Sequence, residues 1–189
     1  MQNLTFITGG ARSGKSALAE QLAKSLSKTE EAVIYLATMQ VFGDDPEIER
    51  RLQIHRSRRP SGWTTIECPF KAGEIINELP SMQEGACVVF DCLSLYLSNM
   101  LLASTGGAGS NPYDHEEKIL AEISSLIEAI EKRIDLQFIV VSNEVGSGVV
   151  PETPLGRAFR DFLGLANQQF ATRSSVAYLC AAGIPLKLK

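Results

Sequence analysis

Residues Gly9-Gly10-Ala11-Arg12-Ser13-Gly14-Lys15-Ser16 fit the pattern G-x-x-x-x-G-K-[ST], and this stretch narrows the possible folds more than any other in the chain. The flanks agree with the letters. Leu4-Thr5-Phe6-Ile7-Thr8 is a short apolar, β-prone run, and Ala17-Leu18-Ala19-Glu20-Gln21-Leu22-Ala23 is a good helix former. A strand that feeds a glycine-rich turn and then a helix aims backbone N–H groups and the positive end of the helix dipole at one spot. A polyphosphate placed there meets unpaired donors. Lys15 is expected to reach the β- and γ-phosphates, and the Ser16 hydroxyl to sit on Mg²⁺. The motif predicts a nucleoside triphosphate site.

Composition bounds the rest. A chain of 189 residues that is 44% hydrophobic and 21% charged reads as one soluble catalytic domain spanning 1–189. The net charge of −4 argues against a general nucleic-acid binder, while leaving room for a local basic site. Cys68, Cys87, Cys92 and Cys180 have no C-x-x-C spacing and no His cluster beside them, which predicts reduced structural thiols rather than zinc ligands. The start of the chain enters a strand without a basic region or cleavage site. The most apolar helical run, Leu93 to Ala103, is interrupted by Ser and Asn and is too short to span a bilayer. These features predict a cytoplasmic protein.

Along the chain, strands alternate with helices. The first helix is expected to reach about Ser27, with Leu18, Leu22 and Leu26 as its buried ridge. Ala32 to Ala37 is a nearly continuous apolar run, as expected of a strand covered on both faces of a parallel sheet. Thr38 follows at its carboxyl end, where ligands bind in open α/β sheets. It is either a nucleotide contact or a turn residue. Asp45 to Arg59 reads as a helix ended by Pro60, with Arg50, Arg51, Arg56, Arg58 and Arg59 around His55. Two readings compete there: a solvated basic face, or guanidiniums that hold phosphates beside an imidazole kept neutral by like charge and able to attack phosphorus. Ala86 to Asp91 is a second apolar strand ending in a carboxylate, so Asp91 either completes a Mg²⁺ shell or caps the following helix. Gly106 to Pro112 is expected to be a surface loop. A long helix then runs to about Ile134 on a ridge of Ile119, Ile123, Leu126, Ile130 and Ile134. The strand 137–142 ends in a glycine-containing turn where Glu144 serves either a ligand or the turn. Thr153-Pro154 signals a helix start, and 175–181 a further strand, with Leu186 to Leu188 as an edge.

Taken together, these residues resemble the bifunctional adenosylcobinamide kinase/adenosylcobinamide-phosphate guanylyltransferase family of cobalamin biosynthesis. The resemblance rests on Thr8 to Ser16, Tyr35 to Thr38, His55-Arg56-Ser57-Arg58-Arg59-Pro60 with Trp63 and Glu67, Ser142 to Gly146, and Val150 to Glu152. It implies a P-loop NTPase fold with a RecA-like, mostly parallel sheet and helices on both faces. It also implies two reactions. A nucleoside triphosphate, ATP or GTP, phosphorylates the aminopropanol hydroxyl of adenosylcobinamide; GTP then gives GMP to adenosylcobinamide phosphate, releasing pyrophosphate. The family's guanylylated histidine falls on His55. Its guanine-nucleotide contacts fall on Gly9, Gly10, Ala11, Arg12, Ser13, Gly14, Lys15, Ser16, Ala37, Thr38, Met39, Arg56, Ser57, Arg58, Arg59, Glu67 and Asp91, with Ser16 and Asp91 at the metal. A homotrimer is implied by the resemblance alone. A simple P-loop kinase without a covalent adduct, and a non-catalytic nucleotide sensor, are the rival readings of the motifs themselves.

Overall fold

The computed structural model describes residues 1–40, 59–82, 85–106 and 110–189. The expected helix over 45–59 therefore lies outside the described residues, except for Arg59, and so does part of the 106–112 loop. Seven strands form one sheet: β1 (Leu4–Gly9), β2 (Val33–Ala37), β3 (Thr64–Glu67), β4 (Ala86–Asp91), β5 (Leu136–Val141), β6 (Val176–Ala181) and β7 (Ile184–Lys187). Their order is β3-β2-β4-β5-β1-β6-β7. Every pairing is parallel except the hairpin of β6 with β7. The carboxyl ends of the parallel strands consequently share one edge, where the loops after β1, β2, β3, β4 and β5 converge.

Strand periodicity divides the core in two. Ile34 and Leu36, Val88 and Phe90, and Phe138 and Val140 face one layer; Tyr35 and Ala37, Cys87 and Val89, and Ile139 and Val141 face the other. The first layer is closed by α2 (Ala72–Glu78), α3 (Leu93–Thr105), α4 (Glu116–Lys132) and α5 (Pro154–Arg173), and the second, among the described residues, by α1 (Lys15–Leu26). Apolar side chains on both faces explain why the central strands read as unbroken hydrophobic runs.

Two expected ridges shift. In α1 the fully buried positions are Ala19 and Ala23; Leu18 and Leu22 flank them, and Leu26 is 40% exposed. The small alanines let the helix axis approach the sheet, which turns the leucine stripe to the side. The helix expected from Asn111 to Ile134 begins as a 3-10 turn, with the Asn111 side chain accepting from the Tyr113 N–H. It stops at Lys132. Ile134 is 85% exposed because the chain has already left the helix at Arg133, whose guanidinium turns to the end of α2. Thr153 caps α5 by accepting from Gly156 N–H at 3.1 Å, as the Thr-Pro signal predicts.

Candidate active site

The site is built from the loop between β1 and α1. Gly9 ends β1 at φ 152°, and a Cβ there would lie 2.3 Å from the Cys180 carbonyl oxygen on β6 and 2.8 Å from Ser13 Oγ. Only a residue without a side chain lets β1 run that close to β6 and turn. Gly14 caps α1 in the left-handed region, at φ 96°, with no side chain bonded to the first helical turn. The hairpin turn of β6 and β7 braces the loop from behind: Gly183 N–H donates to the Ser13 carbonyl at 3.0 Å, and a Cβ on Gly14 would lie 3.1 Å from Gly183 Cα.

Lys15 is 7% exposed and folds back over the loop, donating from Nζ to the Gly10 carbonyl at 2.6 Å. Burial pulls its pKa down, opposed by the nearby Cys92, Asp91 and Cys180. An ammonium held in a dry place with one neutral acceptor gains strongly from an anion. The buried Ser13 and Thr8 hydroxyls have no hydrogen-bond partner either. A lysine short of countercharge, an uncapped helix start and orphaned hydroxyls together fit a polyphosphate and its cation. Ser16, half-buried in the first turn of α1, and Asp91, half-buried at the end of β4, are the oxygens available for a hard divalent ion.

Register carries the site across the sheet. Ala37 pairs with Glu67 on one side and Asp91 on the other, and Asp91 pairs with Val141, itself beside Ile7 of β1. Ala37, Glu67 and Asp91 thus stand in one row with the loop region. Met39 is half-buried just beyond, and Gly10, Ala11 and Arg12 are exposed, Arg12 at φ 56°. Arg59 lies with its guanidinium carbon 3.6 Å from the centre of the Tyr35 ring, and Nη1 donates to Thr65 Oγ1 at 3.3 Å. His55, Arg56, Ser57 and Arg58 lie outside the described residues.

The Thr38 side chain serves the scaffold. It is fully buried, its hydroxyl donates to the Cys92 carbonyl at 2.8 Å, and the Cys92 N–H donates to it at 2.7 Å. That two-way clamp fastens the end of β2 to the end of β4. Glu144 belongs to its turn, since Oε1 accepts from Gly146 N–H at 2.6 Å and Ser147 N–H at 3.0 Å. Asn99 was not singled out by the sequence, although its amide breaks an apolar helix. It donates to the Thr38 and Pro69 carbonyls and ties the loops after β2 and β3 together. Tyr35 was also missed as a polar residue: its hydroxyl donates to Asp91 Oδ2 at 2.5 Å. Burial, then the adjacent carboxylate, push its titration far upward, so the phenol stays a donor.

Solved structures match this arrangement at the level of the fold. A crystallised ATPase domain superposes with a TM-score of 0.50 and 14% identity, over 94% of this chain and 69% of that one. An ATPase from the type III secretion system of pathogenic bacteria does so at 0.53 and 12%, over 98% and 56%. Both show a P-loop NTPase fold. The sequence decides the family, because the family described as CobU, cobinamide kinase / cobinamide phosphate guanyltransferase, matches residues 5–188. The chain belongs to the CobU family. Among CobU relatives, the bifunctional adenosylcobalamin biosynthesis protein CobU of Escherichia coli K12 is 37% identical over 98% of this chain and 99% of its own. The CobP protein of the same description from Pseudomonas aeruginosa is 38% identical over 97% and 96%. CobU membership makes this an enzyme, a kinase and guanylyltransferase of cobalamin biosynthesis. Among the described residues, no helix is long and apolar enough to cross a membrane.

Proposed function

We propose that the chain phosphorylates the aminopropanol hydroxyl of adenosylcobinamide with ATP or GTP and then transfers GMP from GTP to adenosylcobinamide phosphate through a guanylylated His55. In the kinase step the hydroxyl oxygen bonds to the γ-phosphorus and the β–γ bridge breaks. In the transfer step an imidazole nitrogen of His55 bonds to the α-phosphorus and pyrophosphate leaves. The substrate phosphate oxygen then displaces the imidazole, giving adenosylcobinamide-GDP. Mg²⁺, when bound, would neutralise phosphate charge beside Ser16 and Asp91.

The observation that carries the reading is Lys15, buried over the loop with its ammonium starved of countercharge, in a chain of the CobU family. The contacts proposed for the nucleotide are the loop residues 9–16, the row Ala37, Glu67 and Asp91, Met39 and the backbone at Thr38, and Arg56 to Arg59 with Ser57. Their support is the common sheet edge and the anion affinity of clustered guanidiniums. One domain, a cytoplasmic setting and a homotrimer complete the proposal. The test is intact mass after incubation with GTP: wild type gains one GMP, adenosylcobinamide phosphate discharges it, and His55→Ala gains none while still binding nucleotide. Labelling of the His55→Ala chain from α-labelled GTP would remove the histidine step.

A further inference from the structure

The phosphate loop and the substrate chemistry leave one cluster unaccounted for, and Tyr35 is its centre. Its ring is 2% exposed, on the face of β2 that packs against α1. Asp91 is the register partner of Ala37, two residues along the same face of β2, so the phenol reaches diagonally across to the next strand. The guanidinium of Arg59 covers the ring, and Trp63 packs against it with centroids 6.2 Å apart and planes tilted by 32°. The ring cannot swing without displacing a cation and an indole. A carboxylate at a strand end otherwise turns freely about its last bond, and one donor on Oδ2 removes that freedom.

We propose that Tyr35 is a positioning residue, its hydroxyl fixing the orientation in which the Asp91 carboxylate takes part in divalent-cation binding, with Arg59 and Trp63 holding the ring in place. The inference rests on the reading of Asp91 as a cation ligand. Partners that orient a metal-binding carboxylate change metal affinity about 10- to 100-fold when removed. A residue that only fills the core would not.

Binding of a fluorescent GTP analogue, titrated with Mg²⁺, tests this in wild type, Tyr35→Phe, Asp91→Asn and the double variant. Tyr35→Phe keeps the ring, so the emission of Trp63, the only tryptophan in the chain, should stay unchanged without ligand and confirm an intact cluster. The Mg²⁺ concentration for half-maximal binding should rise about tenfold, with binding in EDTA unchanged. In the Asp91→Asn background the same substitution should add nothing. If Asp91→Asn leaves the Mg²⁺ dependence untouched, the reading of Asp91 fails and Tyr35 loses its role with it. If Asp91→Asn shifts the dependence but Tyr35→Phe does not, or adds its full factor to the double variant, the positioning role alone is overturned.

Discussion

Lys15 sets stability against function within one residue. Its ammonium is buried with a single carbonyl acceptor, and burial lowers its pKa. Replacing it by Met removes a poorly compensated buried charge and keeps the aliphatic stem, so Lys15→Met should melt no lower than wild type in the absence of nucleotide. The same variant should lose roughly 10- to 100-fold in triphosphate affinity, the worth of a charge-assisted contact. Melting curves with and without GTP read both effects; a large drop in the ligand-free melt would show that the ammonium stabilises the loop instead. Gly9 is the opposite case, a residue whose lack of a side chain is the function. A Cβ at 2.3 Å from the Cys180 carbonyl cannot be accommodated without moving β1 or β6. Gly9→Ala should cost roughly 2–5 kcal/mol and misplace the loop, seen in denaturant unfolding and in lost nucleotide binding.

At the scale of elements, the site depends on how strand ends and helix ends are fastened. Thr38 ties β2 to β4 through two hydrogen bonds with Cys92, both buried. Thr38→Val keeps the shape and orphans both backbone partners, so it should cost about 1–3 kcal/mol and weaken binding at Asp91, next to the clamp. Arg133 plays the same part for α2. Its guanidinium donates to the Ile76, Leu79 and Pro80 carbonyls and forks onto Asp135, closing a short helix that has no basic residue in its own last turn. The hydrogen bonds from Arg133 hold the Asp135 carboxyl below its usual value. A depressed folded pKa contributes stability that is complete above about pH 4 and is lost as pH falls through the folded value. The acid limb of the stability profile should therefore be shallower in Arg133→Met, measured by urea unfolding across that range. An unchanged slope would mean the fork contributes no linkage.

The whole molecule is a sheet buried on both faces, and its thiols report on that. Cys68, Cys87, Cys92 and Cys180 are all buried and unpaired. Burial pushes Cys68 and Cys87 up to about 12 and Cys92 to about 11, and raises Cys180 as well. Thiolate is the reactive form, so the folded protein should resist alkylation at neutral pH, and all four thiols should react together once the sheet unfolds. Rapid labelling of one thiol in the native protein would mark a local opening, and labelling at Cys92 or Cys180 would place it beside Lys15.

What the sequence alone determined was everything governed by short-range rules. The strand–loop–helix around Lys15, the doubly buried runs of β2, β4 and β5, the Thr153 cap and the placing of Asp91 at a strand end all follow from spacing and local propensity. The CobU resemblance was legible in contiguous motifs for the same reason. Tertiary structure alone decided which side chains at the shared edge face one another. Tyr35 reads in the sequence as one more apolar strand residue, and only the pairing of β2 with β4 puts its hydroxyl on Asp91. Thr38 reads as a candidate ligand until the same pairing engages its hydroxyl with Cys92. The α1 leucines turn sideways because alanines meet the sheet, and the last expected turn of α4 is lost because Arg133 is drawn to the Ile76, Leu79 and Pro80 carbonyls, far away in the chain. Periodicity describes a segment's own faces, whereas contacts between strands depend on order and register, which are written in no single stretch.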